Sequence, residues 1–301
     1  MSRGGGEDDR DLDVESKATG GRGAAGGESA TAPLPAERHD ARGAQPGGNT
    51  GPDTARDRDV PIVWRDRVVP LSASARETLR TVGTFRAVAV ADLARTRYGG
   101  DQARLDRDLR SLQRRGWLVR HTAPAPRGGR AEAVVTLTRD GHDLAQRQLA
   151  PEGQRLHWGL VKPKEQAHDA ALFRVAEAEA ARLARGGGTV TRVILDAELK
   201  GQVAARRNAP GASPDPEAIA RTLHLRVVNG TVQIPDVRLE YETREGTVAR
   251  VDLELATEHY KPSQVAAKVQ AGFTVYAPAS QTGRLSAALE DRGVIGEIFS
   301  L

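Results

Sequence analysis

The sequence predicts an α+β fold: an irregular arm, then a helix-rich region, then a strand-rich region. Three observations predict it. Residues 1–58 mix Gly, Pro, Asp, Glu and Arg with almost no large apolar residues. Such a segment buries too little surface to offset chain entropy and is expected to be disordered. Residues 70–150 pass from helical apolar spacing to two short β-branched runs. Residues 160–301 open on a helical stretch and then alternate strand-like and helix-like segments. With the arm set aside, a chain of 301 residues holds about two folded domains, expected at 70–150 and 160–301.

The elements follow in order. Structure is expected to begin near Val60. Ser74 and Glu77 have capping-box spacing ahead of a helix carrying Leu79 and Val82. A second helical pattern carries Val90, Leu93 and Ala94 and ends near Gly99 and Gly100. Asp101 can cap a third helix on which Leu105, Leu109 and Leu112 share one face, with Gly116 as its stop. Residues 117–121 read as a strand, 122–133 as a loop and 134–138 as a second strand, followed by another helix from Asp140. Residues 168–185 read as a helix stopped by three glycines, and 189–195 as a strand. Asn229-Gly230 between apolar runs is a strong two-residue hairpin signal. Residues 237–242 and 247–256 form a second strand pair; 261–277 read as one helix, 286–291 as another, and 294–299 as a closing strand.

Composition removes several functions. There is no cysteine, which excludes disulfide frameworks, thiolate zinc sites and a cysteine nucleophile. No apolar run approaches the ~20 residues of a membrane span, and the start lacks a secretory core. A cytoplasmic protein with no membrane partner is therefore expected. No His pair has zinc-ligand spacing, no nucleophile elbow is present, and no glycine fingerprint follows a strand.

The net charge of +4, from 44 basic and 40 acidic residues, is unevenly spread. Residues 1–58 carry −3, while 72–150 carry 15 arginines against 8 acids. A basic segment of domain size is the footprint of a nucleic-acid contact. Opposite the leucine face of the third helix lie Arg107, Arg110, Ser111 and Arg114, flanked by Arg104 and Arg115. Asp106 and Asp108 on the same helix could neutralise some of these. Arg127 and Arg130 fall in the loop between the two strands. The order helix, helix, helix, strand, loop, strand resembles a winged helix-turn-helix. That resemblance implies that the arginine helix enters the major groove of duplex DNA and that Arg127 and Arg130 sit at the wing tip.

The strand pair at 237–256 concentrates acidic residues. If it turns about Glu245, Asp236 lies opposite Glu254, Asp252 shares that face, and Val237, Leu239, Tyr241, Val251, Leu253 and Leu255 form the other. The same register sets Arg238 against Asp252 and Glu240 against Arg250, so surface ion pairing is the competing explanation. Converging carboxylates repel unless a cation neutralises them, and hard oxygen ligands suit Mg²⁺. Pro235-Asp236 followed by a hairpin and Asp252-Leu253-Glu254 resembles the PD-(D/E)XK nucleases, which implies an α/β domain with a central mixed sheet. The usual lysine position is Ala256, so the resemblance implies that the lysine comes from the following helix as Lys268, with Lys261 second. It also makes Glu198 the acid of the preceding element.

The combined order, with Thr257 after Glu254, resembles the replication–relaxation family of plasmid and mobile-element proteins. That resemblance implies a nucleoid- or plasmid-associated, DNA-binding protein of replication or mobilisation, with a Mg²⁺-dependent or degenerate endonuclease site at Asp236, Asp252, Glu254 and Lys268. Duplex DNA and replication or mobilisation proteins are the implied partners, and a homodimer is left open. The alternative is a non-enzymatic winged-helix transcriptional regulator whose C-terminal domain dimerises or senses.

Overall fold

The structure is a computed structural model and describes residues 59–123, 131–159, 163–209, 215–257 and 260–301. The expected disordered arm and the loop arginines Arg127 and Arg130 lie outside these residues.

The described residues open with strands β1 (Val60–Trp64) and β2 (Arg67–Leu71), an antiparallel hairpin. It turns through Arg65 and Asp66, whose φ values of 48° and 60° are those of the two-residue turns that match strand twist. Helix α1 (Ala73–Phe85) starts two residues earlier than its capping pattern suggests. Ser72 is the cap: its Oγ accepts from Ala75 N at 3.1 Å, which stabilises the helix by about 1 kcal/mol. Ser74 is buried inside the helix. Strand β3 (Ala87–Ala89), helices α2 (Val90–Arg97) and α3 (Gln102–Arg114), strands β4 (Leu118–Ala123) and β5 (Glu132–Leu137), and helix α4 (Arg139–Gln148) follow. The three strands form one antiparallel sheet in the order β3-β5-β4. Gly141 lets α4 pass the β4 strand closely, because a Cβ there would lie 1.9 Å from the Trp117 carbonyl oxygen.

The second half comprises α5 (Pro163–Arg185), β6 (Thr189–Leu195), α6 (Asp196–Arg207), α7 (Pro216–Thr222), β7 (Arg226–Val228), β8 (Thr231–Gln233), β9 (Val237–Glu242), β10 (Val248–Leu255), α8 (Pro262–Gln270), β11 (Thr274–Ala277), α9 (Ala279–Glu290) and β12 (Ile298–Ser300). Five strands make a mixed sheet in the order β12-β11-β10-β9-β6, so the α+β class with a mixed sheet holds. Strands β10, β11 and β12 are parallel, and β9 runs antiparallel to both β10 and β6. The C-terminal ends of β6, β10, β11 and β12 therefore share one edge with the start of β9.

The β9/β10 register pairs Arg238 with Asp252, Glu240 with Arg250 and Val237 with Leu253, as the alternation implied. Val237, Leu239, Leu253 and Leu255 are buried, each contributing about 1.5–3 kcal/mol by leaving water. The Asn229-Gly230 turn does close a hairpin, β7/β8, which forms its own small sheet.

The single helix expected at 261–277 is two elements. Gly272, at φ 84°, ends α8, and Thr274–Ala277 is a buried parallel strand. A short apolar run buried on both faces has no period to separate it from a helix. The closing strand is confined to Ile298–Ser300.

One continuous apolar cluster runs from Ile62 to Tyr276. Helix α5 joins its halves by packing on β3 and on the five-stranded sheet, with Phe173 edge-on to Phe85 at 5.2 Å. Among the described residues no helix is long and apolar enough to cross a membrane.

Candidate functional site

Helix α3 buries Leu105, Leu109 and Leu112 against the core and leaves Arg107, Arg110 and Arg114 exposed. Asp101 caps it by accepting from Arg104 N at 2.9 Å. Neither helical aspartate is spent on the basic face. Asp108 is buried and accepts from Ser74 Oγ at 2.6 Å, Tyr98 OH at 3.1 Å and Ser72 Oγ at 3.3 Å. Asp106 accepts from Gln102 at 3.1 Å. Arg107, Arg110 and Arg114 form no salt bridge with a described residue. Arg110 Nε donates to Asp106 O at 3.1 Å. Arg104 is partly buried and donates to Ser74 Oγ at 3.3 Å. Arg115 follows the helix and lies over the Trp117 ring at 5.4 Å.

A second constellation sits at the sheet edge where β10 ends and β9 begins. The register sets Asp236, one residue before β9, beside Glu254, and Leu255 N donates to Asp236 Oδ2 at 2.9 Å. The first turn of α6 adjoins it, since Asp196 N donates to the Asp236 carbonyl at 3.0 Å. From α8, Lys268 Nζ stands 3.2 Å from Glu254 Oε1 and donates to Ile234 O at 2.6 Å. From α5, His168 Nε2 stands 3.6 Å from Asp236 Oδ1. Tyr260 OH donates to Glu254 Oε1 at 2.9 Å. Glu254, Tyr260 and Lys268 line a cleft of about 670 Å³ that the β7/β8 hairpin borders.

The electrostatics of this edge follow from burial and crowding. Glu254 is 1 % exposed, and its Oε2 has no hydrogen-bond partner among the described residues. Burial, then the Asp236 charge, pushes its carboxyl up to about 7, with Lys268 and Tyr260 opposing. Burial disfavours the charged form of His168, but Asp236 outweighs it and the imidazole is raised. Lys200 is raised by its hydrogen bond to Asp196, with Asp236 and Glu254 contributing from further away.

The structure brings Asp236, Glu254 and Lys268 together and places Asp252 and Glu198 elsewhere. Asp252 is held bidentately by Arg238, Nε to Oδ1 at 2.6 Å and Nη2 to Oδ2 at 2.8 Å. Arg238, 3 % exposed, also donates to the carbonyls of Leu223 and His224 at 2.6 and 2.8 Å. Glu198 bonds Arg192, which reaches Glu240 at 3.8 Å, and Glu240 accepts from Arg250 at 2.9 Å. Those four residues form an ion-pair ladder across β6, β9 and β10. Lys261 instead starts α8, its N–H donating to Gln264 Oε1 at 3.0 Å.

Sequence reasoning missed His168 and Tyr260 as members of the pocket. His168 reads locally as part of a helix-start pair with Asp169, and only the α5 packing carries it to Asp236. Tyr260 lies six residues beyond Glu254 with no motif to mark it.

Among the described residues no group of three or more His, Asp or Glu is arranged to hold a metal. Asp236 and Glu254 offer two carboxylates, one with an unengaged buried oxygen. That donor set suits a hard divalent cation that keeps water and phosphate ligands. No family model matches the chain, and no curated protein is significantly similar to it.

Proposed function

We propose that the chain is a DNA-binding protein of the replication–relaxation kind. A winged helix-turn-helix made of α1 to α3 with β3, β4 and β5 grips duplex DNA. A PD-(D/E)XK-like site at Asp236, Glu254 and Lys268 acts on the phosphodiester backbone. The observation that carries the proposal is the unneutralised face of α3. Arg107, Arg110 and Arg114 project to solvent while Asp106 and Asp108 are engaged elsewhere. Arginines so placed can take phosphates as charges or guanine in bidentate fashion.

Asp236 and Glu254 would hold Mg²⁺. When bound, this ion supplies Lewis-acid stabilisation of phosphate charge and a water of lowered pKa. The chain's own residues do the rest. Lys268, already against Glu254, offsets the charge of an incoming phosphate. Tyr260 fixes the Glu254 carboxylate by its hydrogen bond. His168 faces Asp236, whose carboxylate raises the imidazole and so favours its protonated form.

Binding without cleavage is favoured by one observation. Arg238 bonds both oxygens of Asp252, leaving two carboxylates at the edge where the sequence pattern offers three.

Purified protein is tested on supercoiled and linear duplex DNA. Log affinity is expected to fall steeply with log salt, and replacing Arg107, Arg110 and Arg114 by Ala is expected to flatten the slope by about 2–3. Mg²⁺-dependent nicking is expected in the parent and lost in Glu254→Ala and Lys268→Ala. DNA binding with no nicking leaves the binding-only alternative. Absence of any DNA binding sinks both.

A further inference from the structure

The chain between α4 and α5 is pinned on both sides of an exposed tryptophan. Gln154 exchanges hydrogen bonds with the Val193 backbone, at 2.9 and 3.0 Å. Leu156 N donates to Gln146 Oε1 at 2.8 Å, His157 N to Gly83 O at 2.6 Å, and Gly159 N to Leu137 O at 3.0 Å. Leu156 is buried. Trp158, on this fixed segment, is nevertheless 51 % exposed. A tryptophan displayed on an anchored backbone carries a cost in exposed apolar surface that a loop ring could avoid by folding inward.

Trp158 borders a pocket of about 320 Å³ that is also lined by Arg86, Arg155, His142 and His157. Arg155 is exposed and forms no salt bridge with a described residue. Arg86 is held at φ 65°, ψ −52°, in the sparsely populated γ-turn region. Side chains kept in such backbone strain concentrate at functional positions. Its nearest acid is Asp169, with Nη1 to Oδ2 at 3.7 Å, beyond hydrogen-bond length. Other titratable groups nearby are Asp143, 3.2 Å from His142, and Asp196, whose charge reaches His157. Burial and the arginine charges keep His157 neutral, near 4, and burial raises Asp169 to about 6. Arg155 is therefore the cation of the pocket with no acid paired to it among the described residues, while Arg86 is shared with Asp169 and lies beside the flat ring.

We propose that this pocket binds a nucleotide of single-stranded DNA, the base stacking on Trp158 and the phosphate held by Arg86 and Arg155. The proposal rests on the DNA-binding function above and extends it to the substrate's form. Arg86 touches Asp169, and the adjacent His168 faces Asp236. A strand seated on Trp158 is thus led along the start of α5 to the carboxylate edge, while α3 holds the flanking duplex. Base–aromatic stacking tolerates any sequence because every base has a π-face.

Affinities of the full chain for a fluorescent oligo-dT, an oligo-rU of equal length and a blunt duplex test this. Trp158→Ala is expected to weaken oligo-dT binding about tenfold, with Trp158→Phe restoring most of it and the duplex affinity unchanged. Arg155→Ala is expected to weaken oligo-dT and reduce its salt slope by about 1. The α3 triple alanine variant is expected to do the converse. Oligo-dT binding unmoved by Trp158→Ala, or preferred binding of oligo-rU, overturns the proposal while duplex binding stands. Failure to bind any DNA overturns both. Far-ultraviolet circular dichroism and urea midpoints like the parent's certify that Trp158→Ala is folded.

Discussion

Replacing Arg238 by Met tests whether Asp252 is a structural acid. Arg238 is 3 % exposed and makes four hydrogen bonds, two to Asp252 and two to backbone carbonyls of the α7–β7 turn. Removing one partner of a buried pair costs about 3–5 kcal/mol, because the other charge is left uncompensated. Asp252 keeps 16 % side-chain exposure, so water reaches it and that part falls toward the low end. The carbonyls of Leu223 and His224 add about 1 kcal/mol or more each when unpaired. An overall loss of about 3–5 kcal/mol is expected, read as a drop in the urea midpoint at unchanged slope. Asp252→Asn is expected to lose less, and the double variant less than the sum of the two singles. A loss below about 1 kcal/mol in Arg238→Met, or strict additivity, refutes the pairing. Asp252 would then be free to join Asp236 and Glu254.

Three further expectations follow from the packing and the electrostatics. Gly141→Ala drives a Cβ to 1.9 Å from Trp117 O. Backbone must move, at a cost of about 1–3 kcal/mol, and an unchanged thermal midpoint contradicts that close approach. Ser72→Ala removes the α1 cap and is expected to cost about 1 kcal/mol by urea titration. Glu254, raised from 4.5 to about 7 by burial and by Asp236, binds its proton more tightly folded than unfolded. Its contribution is fully present below 4.5 and is lost as pH rises through about 7. The stability of Glu254→Gln relative to the parent is therefore expected to grow between about pH 5 and 8, and a difference that shrinks there inverts the assignment.

Legibility differed by element, for physical reasons. Alternation in β9 and β10 fixed which residues share a face, so the pairs Arg238–Asp252 and Arg250–Glu240 could be read before any fold was known. Periodicity could not say whether the Arg238–Asp252 pair would be a surface contact or a buried bidentate one. Its burial depends on the Leu223 and His224 carbonyls, which follow α7 and take the other donors of Arg238. The leucine face of α3 was plain from spacing, and so was its outward arginine face. The fate of Asp108 was not, because Ser72 and Ser74 reach it from the start of α1 and Tyr98 from just beyond α2. Strand β11 hid because a strand buried on both faces shows no period. Lys268 was found through resemblance, whereas His168 and Tyr260 needed the tertiary fold.

Helix α5 lies against both sheets, and its side chains are shared between them. Arg97 grips Glu177 with two hydrogen bonds of 2.9 and 2.8 Å, and Arg174 reaches both Asp92 and Glu132 at 3.0 Å. The sheet behind the basic helix and the sheet that carries the acidic edge are thus packed on one helix rather than joined by a tether. Heating should melt them in a single cooperative step. The spacing between them is then set by the packing of that helix, and a ligand reaching both would meet them at a separation the fold prescribes.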